Sequence, residues 1–286
     1  GMGNLGTREL TAGSDLDLIA LYEFDEANDT SDGERPLHAS QYFARLTQAF
    51  VTALTAPMAQ GRLYEVDLRL RPSGQSGPVA TSLHAFTTYQ TTDAWVWEHL
   101  ALTRARVIAG NVDLAADVEQ FRAELLAEPQ DKTKVLTEVS TMRARIDAAK
   151  APSGIWDVKI GRGRMQDIEL FGQAGTLLAG SSSLTVDAGL AASVASGWLN
   201  AADEAVLTRA YAMCWQVQLA SKLLTEKPLD PAHIGLGGCA MLLRETGRTA
   251  LVVHHDLQTV EDYFDHVILM NTRIVAHGPT SVVFTK

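Results

Sequence analysis

The chain is poor in cysteine. Only Cys214 and Cys239 occur in 286 residues. Two thiols this sparse make neither a disulfide framework nor a zinc site, and a reducing, cytoplasmic setting is the simplest reading. Positive charge is also short: 24 Lys and Arg stand against 34 Asp and Glu, a net charge of −10. That disfavours a general nucleic-acid binder. No apolar run is long and uninterrupted enough to span a bilayer, so no membrane is expected. No basic stretch followed by an apolar one opens the chain, so no secretory signal is read. A G-x-x-x-x-G-K-[ST] phosphate loop is missing throughout. Repeats and low-complexity segments are lacking as well. Gly1 ahead of Met2 reads as a tag scar and is set aside from fold reasoning.

What is present is ordinary globular composition, 46% hydrophobic and 20% charged. At this length one large domain or two smaller ones are expected, with a core that needs no covalent staples. Ser14 to Tyr22 alternates and then runs apolar, as a buried strand does. Residues 25–36 are acidic and turn-forming, hence a surface loop. Residues 39–57 carry Phe43, Leu46, Phe50, Ala53 and Leu54 at helical spacing. Residues 63–71 alternate strictly and read as a strand, with Glu65, Asp67, Arg69 and Arg71 on one face; Pro72-Ser73-Gly74 ends it. Residues 82–103 read as a helix. From about residue 111 helical patterns follow one another, at 111–127, 131–149, 164–180, 185–198 and 201–226, a helical bundle. The end changes character: 249–253 reads as a strand, 256–265 as a short helix, and Val267–Met270 with Arg273–Val275 as a hairpin.

Asp15 and Asp17 stand two apart in a predicted strand, so both carboxylates point to one face. Adjacent carboxylates repel unless a positive group joins them. A divalent cation is the usual partner, and Mg²⁺ takes one or two carboxylates plus substrate phosphates. Asp67 can add a third carboxylate from the neighbouring strand. The glycine-rich Gly3-Asn4-Leu5-Gly6 stretch just upstream can bring backbone N–H groups to phosphates. A lone D-x-D fits a solvated strand end equally well. A glycine-rich loop, then Ser14-Asp15-Leu16-Asp17, then a polar-faced strand with Asp67, is far more specific. It is the arrangement of the nucleotidyltransferase superfamily associated with DNA polymerase beta.

The likeness extends further. Gly3 to Leu10 with Gly13 to Leu18 resembles the G-K-L-G-x-x-E-L…S-D-x-D-L signature of bacterial glutamine synthetase adenylyltransferases. Tyr64 to Gly74 is similar to that family's Y-E-V-D-x-R-L-R-P-S-G. Trp95-Val96-Trp97-Glu98-His99 and Arg104-Ala105-Arg106 match its W-x-W-E-H…R-A-R block, and Asp167-Ile168-Glu169 its D-I-E. The resemblance covers about residues 2–247, and the variants at these places resemble the family's C-terminal, adenylylating half. It implies an α+β chain: a polymerase-beta-like nucleotidyltransferase domain over residues 1–110 lacking its first strand, a helical bundle over 111–247 and a short β-α-β tail over 248–286. It implies transfer of AMP from ATP to a tyrosine of glutamine synthetase, in the control of nitrogen assimilation. Asp15, Asp17 and Asp67 are then the catalytic metal-binding carboxylates, holding Mg²⁺ and with it the triphosphate. Asp67 lies nearer the attacking tyrosine and helps take its proton. Gly3, Gly6, Ser14, Arg69 and Arg71 are the nucleotide-binding candidates, the arginines through their planar forks. Pairing of those arginines with Glu65 or Asp67 is an equal alternative.

Several positions depart from the family pattern. Its glycine-loop lysine is Asn4, and Gly161-Arg162-Gly163-Arg164 replaces the glycine pair ahead of D-I-E, where a solvated basic turn is expected. The family's first core strand precedes the glycine loop, whereas this chain begins inside it. An open sheet edge, a poorly anchored loop and impaired activity are expected from that. The tail from Leu251 to Leu257 and from Tyr263 to Asn271 resembles the end of a metal-uptake ABC transporter ATPase, with His255 at the γ-phosphate sensor position. Without a phosphate loop it reads as a fused fragment, and a metal site at His254, His255 and Asp256 is an outside candidate. Trp95 and Trp97 read as core packing plus one exposed ring, Glu98 as a surface carboxylate, Cys214 as core, and His84 and His99 as structural or exposed. Beside the transferase stands a second reading: an inactive remnant that docks glutamine synthetase or a PII-type regulator.

Overall fold

The computed structural model describes residues 1–247 except Ala12, Gln60 and Leu63, together with Val260, 265–271 and 273–283. The expected strand at 249–253 and the His254, His255, Asp256 candidate lie outside the described residues. The chain is mixed α/β and mostly helical, with two small parallel sheets near its start and an antiparallel hairpin near its end. It divides into two compact units: residues 1–151 with 166–210, and residues 152–165 with 211–286.

In the first unit the chain opens with a helical turn α1 (Gly3–Thr7), where the sequence suggested a glycine loop. The expected strand at 14–22 is split. Its first part, β1 (Leu16–Asp17), pairs in parallel with β3 (Val66–Asp67). Its second, β2 (Ala20–Tyr22), pairs in parallel with β4 (Ala80–Ser82). One apolar stretch therefore serves two partners. The expected strand at 63–71 shrinks to β3, because the chain turns after it: Arg71 N–H donates to the Leu68 carbonyl at 3.4 Å and Gly74 N–H to the Arg71 carbonyl at 2.8 Å. Ser73 takes a left-handed φ of 59° within that turn.

Helix α2 (Ala39–Leu54) stacks Phe43 on Tyr22 of β2 with ring centroids 4.4 Å apart. Its Leu46 and Phe50 keep about half their surface in solvent. The single helix expected at 82–103 is two, α3 (Leu83–Thr92) and α4 (Val96–Leu102). The break has a cause. Glu98 is buried, not a surface carboxylate; its Oε2 accepts the Trp95 N–H at 2.9 Å and so caps α4. The same carboxylate accepts from the Tyr89 hydroxyl at 3.0 Å, clamping the end of α3 to the start of α4. Trp95 is the exposed ring of its pair.

The helices α5 (Val112–Ala127), α6 (Lys132–Ala149), α7 (Met165–Leu178), α8 (Val186–Ala195) and α9 (Ala201–Leu224) follow closely where helical periodicity placed them. Asn111, Asp131 and Thr185 cap α5, α6 and α8 with their side-chain oxygens. A core of Val96, Leu100, Leu126, Val135, Ala174 and Leu177 joins α4 through α7. A second joins Met2, Phe86, Leu102, Ala105 and Leu125, and so seats the start of the chain against α3 to α5. Arg122 is buried and donates to the carbonyls of Leu102 and Thr103, both at 2.8 Å, satisfying the end of α4.

In the second unit, Arg164 donates to the carbonyls of Gly154 at 3.2 Å and Ile160 at 2.9 Å and to that of Asp157, so it ties its own loop. Helix α10 (Pro231–Thr246) was not expected. Its ends are well signalled: Asp230 caps it, Pro231 follows, and Gly247 closes it with a left-handed φ of 60°. Gly235, Gly237 and Gly238 obscure it from within, and Gly235 kinks it with a φ of 68°. The expected hairpin is present as β5 (His266–Asn271) and β6 (Arg273–Pro279).

Candidate functional site

The site is built on β1 and β3. Their register places Asp17 opposite Asp67, and in-register residues of parallel strands share a face. The ladder continues past both, with Leu16 N–H donating to the Glu65 carbonyl and Leu18 N–H to the Asp67 carbonyl, each at 2.8 Å. Asp15 lies two residues before Asp17 and is exposed. The electrostatics record the crowding. Partial burial, then the charges of Asp67 and Asp15, push the Asp17 carboxyl up to about 6, while Arg104 and Arg69 pull the other way. Such like charges are relieved by a cation.

Asp67 sits in the opposite condition. Hydrogen bonds from Arg69 hold its carboxyl below the usual range. Arg69 Nε donates to Oδ2 at 2.7 Å, its Nη2 reaches the same oxygen, and its backbone N–H donates to Oδ1 at 2.8 Å. Arg69 itself is largely exposed. Arg71 turns away from the carboxylates: its guanidinium donates to the carbonyls of Leu68, Gly77 and Gln75 at 2.7, 3.2 and 3.3 Å, holding the turn that follows β3. Ser14 Oγ accepts the Thr11 N–H at 2.9 Å and closes the loop ahead of β1.

The two glycine candidates differ. Gly3 has a φ of 52°, and a Cβ built on it would stand 2.8 Å from Asp17 Oδ2. Glycine is thus required for α1 to approach the carboxylate. Gly6 is buried, and a Cβ there would stand 1.9 Å from the Arg104 carbonyl oxygen. The stretch expected to lack an anchor is held firmly. Met2 N–H donates to the Asp17 carbonyl at 2.9 Å, Arg106 N–H to the Gly1 carbonyl at 2.9 Å, and Arg106 Nε to the Gly6 carbonyl at 3.0 Å. The physical reason is burial: Met2 sits in the core with Phe86 and Leu102, so the first turn is docked by its own side chain.

Arg104, Glu9 and Glu169, all within the family-like motifs, come together beside the site. Arg104 is buried, donates from Nη2 to Asn4 Oδ1 at 2.6 Å, and pairs with Glu169 at 3.5 Å and Glu9 at 3.7 Å. Asp167, the first residue of D-I-E, pairs with Arg143. The only signal in the sequence was the place of Arg104 in the R-A-R block just past a predicted helix end.

Among the described residues no group of three or more His, Cys, Asp or Glu side chains is gathered as a ready metal cage. The donor chemistry at Asp15, Asp17 and Asp67 still fits a hard cation that keeps water and phosphate ligands, since such an ion needs only one or two carboxylates. A separate cavity of about 1000 Å³ is walled by Tyr22, Phe43, Phe50, Phe86 and Phe121, and none of the three carboxylates lines it. The carboxylates and this cavity are therefore distinct places in the unit.

Residues 1–121 match the family profile described as glutamate-ammonia ligase adenylyltransferase. The chain is homologous to a piece of proteins described as bifunctional glutamine synthetase adenylyltransferase/adenylyl-removing enzymes. It is 44% identical over 243 residues to that of Rhizobium meliloti, covering 83% of this chain and 25% of the relative. It is 51% identical over 177 residues to that of Mesorhizobium japonicum, covering 62% and 18%. It is 44% identical over 249 residues to that of Xanthobacter autotrophicus, covering 85% and 25%. The chain thus spans about a quarter or less of the length of these curated relatives.

Proposed function

We propose that this chain is a nucleotidyltransferase-fold segment that moves AMP from ATP to a tyrosine of glutamine synthetase, and that it corresponds to the adenylylating half of its bifunctional relatives. The observation that carries the reading is the in-register pair Asp17 and Asp67, with Asp15 beside it, under an α1 turn brought close by Gly3. Asp15, Asp17 and Asp67 would hold Mg²⁺, which when bound supplies charge neutralisation to the triphosphate and the leaving pyrophosphate. Gly3, Gly6 and Ser14 shape the phosphate side. Arg69, exposed and two residues from Asp67, presents a planar fork to the same space, and Arg71 stiffens the turn behind it. Asp67 accepts the proton of the tyrosine hydroxyl once Arg69 turns from its carboxylate to phosphate.

One observation favours a second reading. In the present arrangement Arg69 fills both Asp67 oxygens. A site locked so would leave an inactive module that docks glutamine synthetase or a PII-type regulator. Incubation with α-labelled ATP, Mg²⁺ and glutamine synthetase separates the two. Label on a tyrosine of glutamine synthetase, lost in Asp17→Asn, is the expected result. Binding of glutamine synthetase with no label transferred would establish the second reading instead.

A further inference from the structure

We infer that Arg104 is the positioning residue of the carboxylate site: it holds the α1 turn over Asp17 and ties that turn to α7 through Glu169. The inference rests on the nucleotidyl-transfer reading for its consequence, but not for its geometry.

Arg104 follows the last turn of α4, and its side chain is 8% exposed. Burying a guanidinium is expensive unless it is paired on its several N–H groups. Here the fork is used in two directions. Nη2 donates to Asn4 Oδ1 at 2.6 Å and lies 3.7 Å from Glu9 Oε2, so it grips both ends of the α1 segment. Nη1 lies 3.5 Å from Glu169 Oε2, on α7. The backbone of the same residue takes part, since its carbonyl packs against Gly6 where a Cβ cannot fit. From α1 the contact passes on to the site. Met2 N–H donates to the Asp17 carbonyl at 2.9 Å, and Gly3 rests against the Asp17 carboxylate. Glu169, Arg104, Asn4, Gly3 and Asp17 thus form one continuous physical path. Asn4, the departure from the family's lysine, is what receives the Arg104 donor. A lysine at 104 has one compact ammonium and cannot serve Asn4 and Glu169 together in this geometry.

The test compares the wild-type chain with Asn4→Ala, Arg104→Lys and Arg104→Gln. It reads amide hydrogen exchange at Met2, Gly6 and Leu18, Mg²⁺–ATP affinity, and kcat and KM toward glutamine synthetase. Asn4→Ala should stay folded, exchange about tenfold faster at Met2 and Gly6, and lose about tenfold in Mg²⁺–ATP affinity and kcat. KM for glutamine synthetase should not move. Arg104→Lys should show the same faster exchange and weaker affinity. Unchanged exchange and affinity in both Asn4→Ala and Arg104→Lys would overturn the inference. If Arg104→Gln does not fold, those two variants still decide. If the wild-type chain itself binds no Mg²⁺–ATP, the nucleotidyl-transfer reading fails, and the exchange arm alone decides whether Arg104 holds the turn.

Discussion

Asp17 is the residue at which the chemistry is most exposed to measurement. Its carboxyl is raised from 3.8 to about 6, by burial first and by Asp67 and Asp15 next. The folded state therefore keeps this proton at a pH where the unfolded chain has released it. The contribution to stability is fully present below pH 3.8 and is lost as pH rises through about 6. Asp17→Asn should accordingly stabilise the metal-free fold at pH 7.5 by on the order of 1 kcal/mol once solvent screening is allowed for, read as a higher melting temperature. The gain should vanish near pH 4. A variant that is destabilised at pH 7.5 without metal would show that the carboxylate is a structural ligand of its neighbours. Gly3 gives a second test at this scale. Its φ of 52° and the 2.8 Å approach to Asp17 Oδ2 leave no place for a methyl group. Gly3→Ala should displace the carboxylate and weaken Mg²⁺-dependent nucleotide binding by about tenfold or more, with every charged group retained. Binding equal to wild type would mean that α1 does not set the carboxylate's position.

At the scale of elements, the α3–α4 clamp is the clearest energetic statement. Glu98 is buried and accepts from the Tyr89 hydroxyl and the Trp95 backbone at once. Glu98→Ala removes the acceptor of two part-buried donors, which should cost about 1–3 kcal/mol. Tyr89→Phe should cost about 1 kcal/mol, since it removes a single donor. Urea midpoints measure both, and equal small effects would place the cap elsewhere. This clamp also shows what a sequence conceals. The helices from α5 to α9 were legible because their apolar periodicity persists over several turns. The break between α3 and α4 was not, because it depends on a carboxylate folding back on a backbone N–H. The strands were half legible: alternation placed Asp15 and Asp17 on one strand, yet β1 begins at Leu16 and leaves Asp15 outside it, and β1 and β3 are only two residues each. Ladders that short are decided by their partners rather than by alternation. Helix α10 was hidden by its internal glycines although its Asp-Pro start and glycine stop are plain in the sequence.

For the whole molecule, the carboxylates could be paired from sequence, but the network behind them could not. Asn4 and Arg104 are 100 residues apart in the chain, and no local pattern links them. The docking of Met2 against Phe86 and Leu102 is equally non-local, and it reverses the expectation of a loose first turn. Among the described residues no helix is long and apolar enough to cross a membrane. The molecule carries a net charge of −10. An anionic chain repels ATP unless a cation mediates, so metal dependence is the property that a carboxylate site must show and an incidental pocket need not. The most direct measurement is calorimetric titration of ATP into the full chain with and without Mg²⁺, repeated with Asp17→Asn. Mg²⁺ should strengthen ATP binding by about tenfold or more in the wild type and leave the variant's affinity unchanged. Equal ATP affinity with and without Mg²⁺ in the wild type, or an undiminished Mg²⁺ effect in Asp17→Asn, would contradict the assignment of Asp15, Asp17 and Asp67 as the metal-binding centre.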